Sequence, residues 1–200
     1  VAIARGKQLL GRLKRKLFKP QVLRKLISGG TASPRKQVLL PQKEDSPPPV
    51  YRIDTRHGLK EAGETLALLM ERFSPLIKDK KIMVKFNLNT ANPYPASVCP
   101  LMLRALIDIL LAMGAVEVLA GDCCTVRLLP TRNQVKKAGL EEAVGGKARL
   151  VCFDETPWVT VPVPGRYLER VTVPAQAVDV DYIIGLANLK THRQATYTGA

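Results

Sequence analysis

Four short apolar runs constrain this chain more than any other feature. They occupy residues 81–86, 116–120, 148–153 and 182–187, and each ends at or beside a polar residue or a glycine. Five or six residues are too few for a buried helix but the usual length of a buried strand. Runs that are apolar throughout, with no strict alternation, belong to strands covered on both faces. The segments between them carry a helical spacing instead. Leu59, Ala62, Leu66, Leu69, Met70 and Phe73 form one stripe, with Asp54 or Thr55 available as its cap and Ser74-Pro75 as its stop. Pro100 suits the first turn of a helix over 101–113, and Gly114 closes it. A further helix is expected over 133–144, before Gly145-Gly146.

Strands alternating with helices predict an α/β fold: a mainly parallel, Rossmann-like sheet in three layers. Residues 158–163 and 167–173, around Pro164-Gly165, read as a β-hairpin inserted between the α/β units, and Pro174 opens a short helical turn. The run 116–120 is expected to end before Gly121-Asp122, and 148–153 to end at Asp154, with Asp154-Glu155 read as a turn rather than a paired acid and base.

Charge divides the chain. The formal net charge is +14, and residues 1–50 hold twelve Lys/Arg against Glu44 and Asp45, whereas residues 51–200 hold nineteen against fifteen acidic residues. Residues 1–50 therefore read as a basic leader and a Pro-rich linker, and 51–200 as the α/β domain. In the leader, Leu9, Leu10, Leu13 and Leu17 stand at helical spacing among Arg12, Lys14, Arg15, Lys16 and Lys19. Such a segment can dock on the body or lie on an anionic surface. Nucleic acid is the poorer partner, because only Phe18 interleaves these charges. No run approaches the roughly 18 apolar residues of a membrane span. Cys99, Cys123, Cys124 and Cys152 contain no CxxC pair, which fits a reducing, cytoplasmic setting.

Parallel strands present their carboxyl ends along one edge, where open α/β sheets bind ligands. The residues expected at that edge are Lys85 and Asn87, then Gly121 and Asp122, then Asp154, then Asn188, Lys190, Thr191 and His192. Lys85 and Lys190 can hold a phosphate or carboxylate as point charges. His192 can move a proton or ligate a metal through neutral imidazole. His57, at a helix start, reads as a capping or exposed residue. Asp122 can orient the histidine, hold a metal or accept from a ligand hydroxyl, and Gly121 lets a backbone be approached closely. No GxGxxG, Walker or GxSxG signature is present, and the cysteines show no zinc or cluster spacing.

These motifs, in this order, resemble the family known as domain of unknown function 362: Lys81 to Leu88, Ser97-Val-Cys-Pro100, the strand with Gly121-Asp122, and Gly185-Leu-Ala-Asn-Leu-Lys-Thr-His192 with Thr198-Gly-Ala200. The resemblance runs from about Tyr51 to the last residue. It implies the same α/β fold and marks Lys85, Asn87, Asp122, Lys190, Thr191 and His192. It also implies a prokaryotic source, and a ferredoxin-like four-cysteine segment that many members carry and this sequence does not. Members have a proline where Phe86 stands, and they continue past the Thr-Gly-Ala segment, so a fragment, incomplete at the C-terminus, is expected. Three functions follow: an enzyme binding a small anionic ligand, with His192 and Lys190 catalytic and redox chemistry open to it; a metal- or iron–sulfur-linked module using His192, Asp122 and a cysteine; or an interaction protein using the basic leader.

Overall fold

The computed structural model describes residues 51, 59–124, 129–162, 167–192 and 196–198, with residues 2–4 and parts of some elements described by backbone alone. The leader stripe and the linker, the cap at Asp54 or Thr55, His57, and the hairpin tip at Pro164-Gly165 lie outside the described residues.

The central sheet contains β1 (Ala2–Ala4), β2 (Lys81–Phe86), β3 (Glu117–Asp122), β4 (Arg149–Cys152) and β7 (Tyr182–Leu186), in the order β1-β7-β2-β3-β4. β2, β3, β4 and β7 are mutually parallel, and β1 pairs antiparallel with β7. The chain thus builds outward from β2 through β3 to β4, then returns to place β7 on the other side of β2. This reversal puts a topological switch point between β2 and β7.

The helices follow from the spacing of apolar residues. In α1 (Leu59–Glu71), Ala62, Leu66 and Met70 recur every fourth residue, and all are buried. In α3 (Pro100–Ala112), Leu103, Leu106, Ile107 and Leu110 form the inward stripe. Gly114 ends α3 with φ +84°, its N–H reaching the Leu111 carbonyl while the Ala115 N–H reaches that of Leu110. That pair of bonds is the glycine-terminated helix end that the sequence predicts. The short α2 (Ser74–Ile77) turns the chain into β2.

The expected helix over 133–144 is two helices, α4 (Thr131–Lys137) and α5 (Leu140–Val144). Gly139 separates them with φ +69°, a left-handed conformation that a helix interior cannot hold.

Side chains alternate across the sheet. Ile82, Val84 and Phe86 face the larger core, with Leu66, Leu103, Leu106, Leu110, Val135 and Leu140. Met83, Leu119, Val151 and Ile183 face the other way, with Phe153, Val180 and Ala177. Each of the fully buried Val, Leu, Ile, Phe and Met side chains contributes about 1.5–3 kcal/mol. The connections from β2 to β3 and from β3 to β4 thus share one face. The return to β7, through β5 (Trp158–Pro162), β6 (Arg170–Pro174) and α6 (Ala175–Val178), brings Ala177 onto the opposite one. A crossover of constant hand that reverses its direction across the sheet must change faces.

β5 and β6 form the expected antiparallel hairpin, in register from Trp158↔Pro174 to Pro162↔Arg170. A second hairpin was not expected. β8 (Lys190–His192) pairs antiparallel with β9 (Thr196–Thr198), so the polar cluster after β7 is a strand of its own and not a loose end.

At the amino edge, Lys81 Nζ lies 3.1 Å from Glu117 and 3.0 Å from Asp179, and Arg149 Nε lies 3.1 Å from Glu117. The Lys81 N–H donates to Asp181 Oδ2 at 3.0 Å. Charge alternates across three strands there, which leaves the carboxyl edge as the place to look for a site.

Candidate functional site

Register brings the carboxyl ends of the strands level. Lys85 stands opposite Gly121 on one side and Gly185 on the other, and Phe86 stands opposite Leu186. Gly121 and Asp122 pair with Val151 and Cys152, so both lie inside β3 and not beyond it as the sequence led us to expect. Pairing with β4 extends the strand by these two residues.

Asp122 is 8% exposed. Its Oδ1 lies 3.1 Å from Lys85 Nζ, and its Oδ2 accepts the Leu88 N–H at 2.6 Å. Burial pushes its carboxyl above the ordinary aspartate range; attraction to Lys85 and the N–H groups of Leu88 and Cys123 oppose this and do not cancel it. Lys85, with 53% of its side chain exposed, also donates to the Phe86 carbonyl at 3.3 Å.

The glycine at 121 is required by packing. A Cβ there would stand 2.5 Å from the Val151 carbonyl oxygen and 2.8 Å from Phe153 Cε1. The close approach that requires glycine is therefore made by the protein's own chain.

The loop between β2 and α3 lies over this edge, and residues from several elements hold it. Asn87 Nδ2 donates to the Ala96 carbonyl at 3.2 Å, and the Asn87 carbonyl accepts the Val98 N–H at 2.9 Å. From the far side of the switch point, Asn188 Nδ2 donates to the Pro95 carbonyl and, at 2.7 Å, to that of Ser97. Lys190 Nζ donates to the Ala96 carbonyl. Asn87 and Lys190 thus meet on one oxygen, within two hydrogen-bond lengths of each other. Thr191 is exposed, and the β8–β9 register sets Thr191 opposite Tyr197 and His192 opposite Thr196.

Of the residues singled out in the sequence, the structure joins Lys85 to Asp122, and Asn87 to Asn188 and Lys190 through the loop. Asp154 stands at the same edge but has another partner: it lies in the turn Phe153–Glu155, and its Oδ2 accepts the Thr131 N–H at the start of α4. Glu155 pairs with Arg132, whose Nε lies 3.0 Å from it. Both acids serve that turn, as expected.

Four residues hold the same region without having been expected to: Thr131 and Gln134 were not named, Ser97 was named only within the motif at the start of α3, and Cys124 only as a thiol. Gln134 Oε1 accepts the Ala91 N–H at 3.1 Å, and Ser97 Oγ donates to the Thr90 carbonyl at 2.8 Å. Cys124 Sγ donates to the Asn89 carbonyl at 2.8 Å, while its N–H donates to Thr131 Oγ1 at 2.9 Å. Ser97, Thr131 and Gln134 are buried polar residues. The available signal was the pair Thr131 and Gln134, two polar side chains three apart on a helix face that must turn inward.

The cysteines do not fit a four-thiolate cluster. All four are free: Cys124 is bonded to the loop, and Cys152 is in the core with its thiol pushed up to about 11, by burial first and then by Glu155. Among the described residues, no three His, Cys, Asp or Glu side chains are grouped to hold a metal ion. No helix among them is long and apolar enough to cross a membrane.

No curated protein and no solved structure matches the chain. A family profile does. The strand ends, the loop over them and both polar strands β8 and β9 fall inside residues 82–200, which match Domain of unknown function (DUF362), and with more than half of its length covered the chain belongs to that family.

Proposed function

We propose that the carboxyl edge of β2, β3 and β7 binds a small anionic ligand, with Lys85 and Lys190 as its cationic contacts. The observation that carries this reading is the position of Lys85: a half-exposed ammonium on the central strand, beside the point where strand order reverses. Its pairing with Asp122 orients the ammonium but leaves it open to solvent. Lys190 has two donors left after the Ala96 carbonyl takes one. The Asn87 amide, with one N–H left beyond the Ala96 carbonyl, and the hydroxyl of Thr191 add neutral donors around the crevice, while Asn188 spends both of its N–H bonds holding the loop. In this reading His192, two residues beyond Lys190 in β8, moves a proton, and that step makes the site an enzyme's.

The test is titration of the full chain with sulfate, phosphate and a short dicarboxylate, followed by melting temperature and by amide shifts. The reading expects saturable binding that perturbs Lys85, Asn87, Asn188 and Lys190. Lys85→Met and Lys190→Met should each weaken it about tenfold, the loss expected for one charge-assisted hydrogen bond. Anions that leave these amides unmoved, or bind both variants as tightly as wild type, overturn it.

A further inference from the structure

Lys85 and Asp122 are paired, but they are held in unlike ways. Asp122 is buried in β3 and fixed by the Leu88 N–H. Lys85 reaches it from the end of a flexible stem, with 53% of its side chain exposed. Among the described residues, Lys85 is the one cation that pairs with Asp122. The other ionisable groups about this end of β3, among the described residues, are the thiols of Cys123 and Cys124 and, from β4 and the turn after it, the Cys152 thiol and Asp154, none of them positive. From the β7 side, Lys190 is turned to the Ala96 carbonyl.

An anion entering the crevice meets Lys85 first, because Lys85 is the exposed and mobile member of the pair. It draws the ammonium away, or neutralises it in place. Either way the buried carboxylate loses its compensating charge. A carboxylate left unpaired in a buried site is costly, and it takes up a proton instead. We infer that anion binding at this edge is coupled to protonation of Asp122, so that the site takes up a proton with its ligand and holds the ligand more tightly as pH falls. Burial already sets the Asp122 carboxyl above its ordinary range before any anion arrives. The inference rests on the anion-binding reading above and adds to it a direction of pH control.

Sulfate is the suitable probe, because it stays doubly charged between about pH 5 and 8, the range in which maximal stability is also expected. Its binding to the full chain is measured by calorimetry at constant ionic strength, in two buffers of different protonation enthalpy. Wild type should take up as much as one proton per sulfate, and its affinity should fall by at most about tenfold per pH unit, the slope of one coupled proton. The Asp122→Asn variant should bind sulfate with no such slope, and His192→Gln should keep it. The carboxyl carbon of Asp122 in wild type, followed by NMR, should move toward its protonated position when sulfate is added, a readout that needs no variant to fold. Binding that is independent of pH overturns the coupling and leaves the anion site standing. A slope lost in His192→Gln but kept in Asp122→Asn assigns the proton to the histidine and also overturns it. No binding at any pH overturns the anion site and this inference together.

Discussion

The Lys85 ammonium and the Asp122 carboxylate lie 3.1 Å apart on adjacent parallel strands, and only the lysine reaches solvent freely. Asp122 therefore does two things at once: one oxygen meets the lysine while the other receives the Leu88 N–H and fixes the start of the loop. Asp122→Ala removes both bonds and leaves that N–H without its acceptor. The cost expected is about 1–3 kcal/mol, the penalty for an orphaned buried donor. Asp122→Asn keeps an acceptor for Leu88 and should cost less. Urea denaturation of the two variants measures the difference, and equal losses would remove the Leu88 bond from the account.

Two carboxylates should titrate in opposite senses. The Asp122 pKa is raised by burial, so its contribution to stability is present below the ordinary aspartate value of about 3.9 and is lost as pH rises through the folded-state value. Glu117 differs: burial would raise it, but Lys81 and Arg149 together outweigh burial and lower it. Its contribution is present above the ordinary glutamate value and is lost as pH falls through the folded one. Stability of wild type relative to Asp122→Asn should therefore fall with rising pH above the aspartate range, and relative to Glu117→Gln it should rise through the acid range. Denaturation at a series of pH values checks both signs.

Gly121→Ala should destabilise the sheet by about 1–3 kcal/mol, the usual cost of overpacking. Two obstacles stand within 3 Å of the new methyl, the Val151 carbonyl oxygen and the Phe153 ring. Adding Phe153→Leu relieves only the second, because the carbonyl is backbone. Partial recovery in the double variant is the expected result, and full recovery would place the whole conflict in the ring.

The reach of the sequence follows from which interactions are local. β2 and the stops of α3 at Pro100 and Gly114 were legible, because apolar spacing and helix-end chemistry sit within a few residues of each other. The break at Gly139 was not, since a single glycine within a helical pattern costs only about 1 kcal/mol and decides nothing alone. Nor could the sequence place Gly121 and Asp122 inside β3, because that depends on pairing with Val151 and Cys152 some thirty residues on, a span of roughly one βαβ unit. The candidate residues could be named as strand-end residues, but their partners could not. Asn87 and Lys190 meet on the Ala96 carbonyl, and 94 residues separate Lys190 from that oxygen.

The thiols should react in an order set by exposure and ionisation. Cys152 is 1% exposed with its thiol pushed up to about 11, so about one molecule in a thousand carries the reactive thiolate at pH 8. Cys99 is half-buried, at the cap of α3. Timed alkylation followed by mass spectrometry should find Cys99 modified early and Cys152 only once the protein unfolds. Early modification of Cys152 would mean that the β4 edge opens in the native state.

Asn188 tests whether the two sides of the switch point hold each other. Its amide donates to the Pro95 and Ser97 carbonyls across the crevice, and each neutral bond of this kind contributes about 0.5–1.5 kcal/mol. The Ala96 N–H is bonded to the Pro93 carbonyl and the Val98 N–H to that of Asn87. Both bonds lie within the loop, so their protection against hydrogen exchange reports whether the loop opens locally. Asn188→Ala should lower protection at Ala96 and Val98 by about tenfold, with little change at Val84 in the centre of the sheet. Equal loss at all three would mean that Asn188 stabilises the whole domain, and unchanged loop protection would mean that Leu88 and Asn87 hold the loop without it.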